Sequence, residues 1–208
     1  NHQFNLIKQL KKYIFFMTEG DHWFDIPLEL YKQKIARPVL WLGDDCHYKK
    51  ARKIFGSDVV EMNTFVHRPY NINDVNYDGE LIDFLFSENY IRAKSICLKM
   101  MDRLDLYSTF GRLDREVYFN KLVIWSLEKI EKSKPELLVA AEAPHDHAKY
   151  VIYEICKYLE IPIYKFLNWT VGPILQLQNM LTDEIIYPSK QSETKIDKIL
   201  NKKIIDYV

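Results

Sequence analysis

The residues of this 208-residue chain best suited to chemistry fall in two short polar turns. One is Glu142-Ala143-Pro144-His145-Asp146-His147; the other is Glu19-Gly20-Asp21-His22-Trp23. Carboxylates and imidazoles are the groups most readily tuned to trade protons near neutral pH, so either turn can supply a general base for a hydroxyl group. A different use of the same residues is a divalent ion held by His22, His145 and His147 with Asp21 or Asp44. HxH with a distant histidine is a weak zinc pattern, and neither HExxH nor a cysteine ligand set accompanies it. The third use is structural: Asp146 caps a helix, and the histidines are solvated or donate to backbone carbonyls.

Both turns follow runs that read as strands. Leu137 to Ala141 is unbroken and apolar, as in a strand covered on both faces. After the turn, Val151, Ile152, Ile155, Cys156 and Leu159 recur at helical spacing, and Ile161-Pro162-Ile163 opens another strand. Strand, helix, strand over about thirty residues is a βαβ unit, which builds parallel sheets. Strands are expected at about 13–18, 38–43, 58–62, 137–142, 162–167 and 184–187, with Pro38 at the first position of the second. Helices are expected after Pro27, over His47 to Phe55 with Gly56 as its stop, and over Glu80 to Leu104. Others cover Arg112 to Lys132, Ala148 to Leu159, Leu175 to Leu181 and Gln191 to Ile204. Phe4 to Lys12 is a short lead-in, and Asn63 to Gly79 is a long loop without periodicity.

These elements predict an α/β domain: a doubly wound, mainly parallel Rossmann-like sheet of about six strands, order 3-2-1-4-5-6, with helices on both faces. Its switch point falls between the first and fourth strands. The two polar turns then face one crevice, with Asp44 and Asp45 beside them. The 208 residues form a single domain, with no linker and no repeat.

Lys+Arg and Asp+Glu both total 29, which argues against a nucleic-acid binder. Three dispersed cysteines without CxxC do not read as a disulfide framework and fit a reducing, cytoplasmic setting. No apolar run approaches the roughly twenty residues of a membrane span. GxSxG, GxxxxGK[ST] and GxGxxG are all absent, which weakens the hydrolase, P-loop and dinucleotide readings.

Lys134-Pro135-Glu136 before one strand and Leu159-Glu160-Ile161-Pro162 before the next resemble the "KPD-strand, helix, LGIP-strand" passage of GT-B glycosyltransferases. Thr182 to Leu200 resembles the strand, serine and helix that close the N-terminal half of such enzymes, in the manner of capsule and surface-polysaccharide biosynthesis proteins. The resemblance implies an acceptor-side domain that works with a nucleotide-sugar donor and a glycan acceptor. No further cofactor is implied, and a divalent metal is not favoured. The donor-binding half would come from a C-terminal continuation or a partner subunit, and the location would be cytoplasmic, peripheral to the inner face of the membrane. By the same resemblance Glu19, Asp21 or His22 is the candidate base, and Glu142, His145 and His147 are candidate contacts to acceptor or donor phosphate. Over the whole crevice the catalytic candidates are Glu19, Asp21, His22 and Glu142, and the substrate-contact candidates are Asp44, His145, His147 and Trp23. A stand-alone metal-dependent hydrolase and a non-catalytic binding module are the alternatives.

Overall fold

The computed structural model describes residues 10–17, 21–43, 45–56, 60–63, 77–105, 107, 109–168 and 175–186. Among these residues one seven-stranded sheet forms the middle layer, in the order β3-β2-β1-β4-β5-β6-β7. The strands are β1 (Lys11–Phe16), β2 (Ala36–Gly43), β3 (Val60–Asn63), β4 (Leu137–Ala140), β5 (Ile163–Asn168), β6 (Leu175–Asn179) and β7 (Ile185–Ile186). The first five are parallel, in the expected order. The last two extend the sheet as an antiparallel hairpin.

Alternation along the central strands decides which helices cover which face. Ile14, Phe16, Leu40, Leu42, Leu138 and Ala140 point to one face. There they meet α3 (Glu88–Leu104), α4 (Arg112–Ser133) and α5 (His147–Tyr158). Tyr13, Phe15, Met17, Trp41, Val139 and Ala141 point to the other, under α1 (Asp25–Lys32) and α2 (Asp45–Phe55). The sheet is therefore buried on both sides, as its apolar runs required. Burying a phenylalanine such as Phe15 or Phe16 contributes about 1.5–3 kcal/mol relative to exposure.

Three expectations differ from the fold. Leu175 to Leu181, expected as a helix, supplies β6 instead: Leu175 and Leu177 alternate with Gln176 and Gln178, and that period of two suits a half-covered strand. The expected helix over Glu80 to Leu104 is two elements, a 3-10 turn (Glu80–Phe86) and α3, divided where the Ser87 hydroxyl accepts from the Tyr90 amide. Pro38 is the third residue of β2 rather than its first. Having no N–H, it is accommodated by a register shift, so that Tyr13 faces Pro38 while Ile14 faces Leu40. The expected lead-in before residue 10, most of the long loop and the helix over Gln191 to Ile204 lie outside the described residues.

Helix ends follow local chemistry. Gly56 closes α2 at φ 119°, a conformation that favours glycine. By contrast, α1, α4 and α5 hand over through Lys34 (φ 55°), Lys134 (φ 48°) and Glu160 (φ 55°). Among the described residues no helix is long and apolar enough to cross a membrane.

Candidate functional site

The carboxyl ends of β2, β1 and β4 finish level with one another. The Met17 amide donates to the Leu42 carbonyl and the Ala141 amide to the Phe16 carbonyl, both at 2.8 Å. Neighbouring strands lie about 4.8 Å apart, so these three strand ends lie side by side. This is the switch point of the sheet, where β1 connects to one side and β4 to the other.

Among the described residues, two carboxylate–histidine couples stand on that edge. Asp21 opens the turn after β1, and its Oδ1 lies 2.8 Å from His47 Nε2 in the first turn of α2. The aspartate is 98% exposed whereas only 12% of the imidazole side chain is exposed, so a solvated carboxylate steers a largely covered ring. Phe24 packs beside that ring, with centroids 6.0 Å apart. The second couple follows β4. Glu142 Oε1 lies 3.2 Å from His145 Nδ1, which also approaches the Ala143 carbonyl at 3.4 Å. Arg103, near the end of α3, donates to the His145 carbonyl at 3.2 Å and fixes the turn. The corner beyond Arg103 is held by Arg115, which pairs with Asp102 and Asp105.

His147 does not share that surface. It is the first residue of α5 and only 1% exposed. Its Nε2 is 3.3 Å from the Tyr118 hydroxyl, and its own carbonyl accepts from the Cys97 thiol. Burial pushes the imidazole pKa down and the Cys97 and Tyr118 pKa values up, so all three are neutral core groups at physiological pH. Asp146 caps α5, accepting from the Lys149 amide at 2.9 Å, and its other oxygen pairs with the buried Lys149 ammonium at 3.3 Å. Trp23 is likewise a core residue: 5% exposed, its ring 5.6 Å from Phe166 of β5, it forms the base beneath the turn.

Of the eight residues singled out in the sequence, Asp21, Glu142 and His145 thus reach the edge. His147 and Trp23 lie beneath it. Glu19 and Asp44 fall outside the described residues, as does the His22 side chain, although His22 lies in the short 3-10 turn Asp21–Phe24. His145 and His147, adjacent in an HxH pattern, enter different environments, one solvent-exposed and one buried. Among the described residues no three His, Cys, Asp or Glu side chains converge as a metal-ligand set.

The residue that sequence reading missed is His47. It was hidden inside a basic helix, HYKKARK, although its position four residues beyond Gly43 places it in the first turn after a strand end. Compared with models of protein families and with curated proteins, the chain matches none. What the edge can do chemically is orient an imidazole through a carboxylate, accept a proton from a hydroxyl, and hold neighbouring hydroxyls through Glu142 and His145.

Proposed function

We propose that the chain is the acceptor-side half of a GT-B-like glycosyltransferase, in which His47 is the general base and Asp21 its positioning residue. The observation that supports this is the pair of carboxylate–histidine couples standing on one sheet edge on either side of the switch point. In the proposed step, His47 takes the proton from an acceptor hydroxyl as that oxygen bonds to the anomeric carbon of a nucleotide-sugar. The nucleotide diphosphate leaves with the electron pair of the broken bond. Asp21 stabilises the imidazolium so formed, and Glu142 with His145 binds further hydroxyls of the acceptor. The donor is bound by a second half, contributed by a continuation of the chain or by a partner.

The test uses the intact gene product, a panel of nucleoside-diphosphate sugars and a mixed oligosaccharide acceptor, with products weighed by mass spectrometry. His47→Gln and Glu142→Gln should each cut transfer by about a hundredfold or more while circular dichroism stays native. Asp21→Asn should fall between these variants and the unaltered chain. Unchanged transfer in both the His47 and Glu142 variants removes the site assignment. Failure to transfer from every donor removes the reading itself.

A further inference from the structure

The formal charge of the chain sums to zero, yet two surface stretches each carry a strong excess of one sign. Between Lys32 and Lys53 seven Lys and Arg residues stand against two acids, Asp44 and Asp45. This stretch comprises the end of α1, then β2 and α2. Lys49, Arg52 and Lys53 form one stripe on the exposed side of α2, spaced i, i+3, i+4, opposite the buried Ala51 and Phe55. Arg52 already lies over the Tyr48 ring, and Arg37 donates to the Phe55 carbonyl. Lys50 likewise reaches over the Phe24 ring, so Lys49 and Lys53 are the charges offered outward, joined by exposed Lys32 and Lys34 beside Ile35, which is 48% exposed.

The opposite side of the molecule carries the complement. From Tyr77 to Tyr90 there are four acids, Asp78, Glu80, Asp83 and Glu88, and no Lys or Arg. A 3-10 helix has three residues per turn, so Glu80, Asp83 and Phe86 stack as one ridge. Phe84, on the inner side, is buried against Tyr158 of α5 and Tyr90 of α3. All four acids of the stretch are exposed, and so is Phe86, at 84%. The ridge belongs to the layer of α3, α4 and α5, across the sheet from α2.

We propose that the acidic 3-10 ridge of one copy docks on the basic α2 face of a second copy of this chain. Each surface finds its charge complement within the same sequence, and each sets one large apolar side chain, Ile35 or Phe86, among its charges. Because the two surfaces lie on opposite faces of the sheet, the contact is head-to-tail rather than two-fold. Every docked copy keeps one surface of each sign for the next. Opposite charges accelerate encounter and fix register, and salt weakens the contact.

Sedimentation velocity of the intact protein over a concentration series provides the test. In about 50 mM salt the sedimentation coefficient should climb with concentration, and in about 500 mM salt the apparent dissociation constant should rise by about tenfold or more. Lys49→Glu with Lys53→Glu should leave a monomer, as should Glu80→Lys with Asp83→Lys. An equimolar mixture of those two variants should associate again, and so should one chain carrying all four changes. A monomer at every concentration in low salt overturns the proposal, as does a natively folded mixture that fails to associate. A protein that stays monomeric but binds phosphatidylglycerol vesicles through the same lysines overturns it in favour of a lipid surface.

Discussion

At neutral pH the His147 imidazole is uncharged because burial disfavours its cation, an effect only partly offset by Asp146. In the unfolded chain the same ring binds a proton as the pH falls below about 6.5. Its folded value is lower, so the unfolded state takes up protons first and stability declines as the pH drops from about 6.5 toward that depressed value. Above that window the ring is neutral in both states and contributes no slope. Urea unfolding at pH 7.5 and 5.5 should therefore show a loss on acidification that is smaller in His147→Phe. Equal losses would mean that the ring is already charged in the folded protein. This residue also shows where sequence reading stops. The run PHDH looks uniformly polar, and Asp146 was legible as a cap. Which of the two histidines turned inward depended on Tyr118 and Cys97, both distant in sequence. His47 was missed for the converse reason, since its partner Asp21 precedes it by twenty-six residues across a strand.

Elements that alternate or repeat without interruption were legible; those fixed by a single contact were not. The five parallel strands and their order followed from apolar runs and turn residues, whereas β6 was hidden in a leucine–glutamine alternation too short to separate from a helix. The break at Ser87 rested on one hydroxyl cap. The 3-10 turn before it depends on Gly79 in a similar way. Glu131 of α4 accepts from the Glu80 amide at 2.8 Å, and the Tyr77 hydroxyl accepts from the Leu81 amide at 3.0 Å. Burial, together with the hydrogen bond to Glu131, pushes the Tyr77 pKa up to about 12. A Cβ on Gly79 would collide with the Glu131 carboxylate and the Tyr77 ring. Gly79→Ala should cost about 1–3 kcal/mol and unlatch the turn from α4. Amide exchange should accelerate at Glu80 and Leu81 but not in α5; unchanged exchange at both amides would show that the two side chains swing clear.

The two cores of the molecule share the same strands. Phe15 is packed under α1 and α2 while its neighbours Ile14 and Phe16 are packed under α4 and α5, all at most 1% exposed. Neither face can lose its packing without moving the backbone that serves the other. Phe15→Ala should therefore destabilise the whole domain by about 3–5 kcal/mol. Trp125 fluorescence, on the far side of the sheet, should follow the same unfolding curve as Trp41 in single-tryptophan variants. Two separated transitions would divide the domain into independent halves.

The three lysine and glutamate residues that end α1, α4 and α5 in left-handed conformation give the protein unused resistance to heat. A side chain with a Cβ in that region costs about 1–2 kcal/mol relative to a residue without one. Glycine at Lys34, Lys134 and Glu160 removes that strain at three surface positions far from the carboxyl edge, at the expense of a looser unfolded chain. The triple variant should melt several degrees higher with its sheet and its site unaltered, and a calorimetric scan showing a lower midpoint would mean that those side chains hold the helix ends in ways their backbone angles do not reveal.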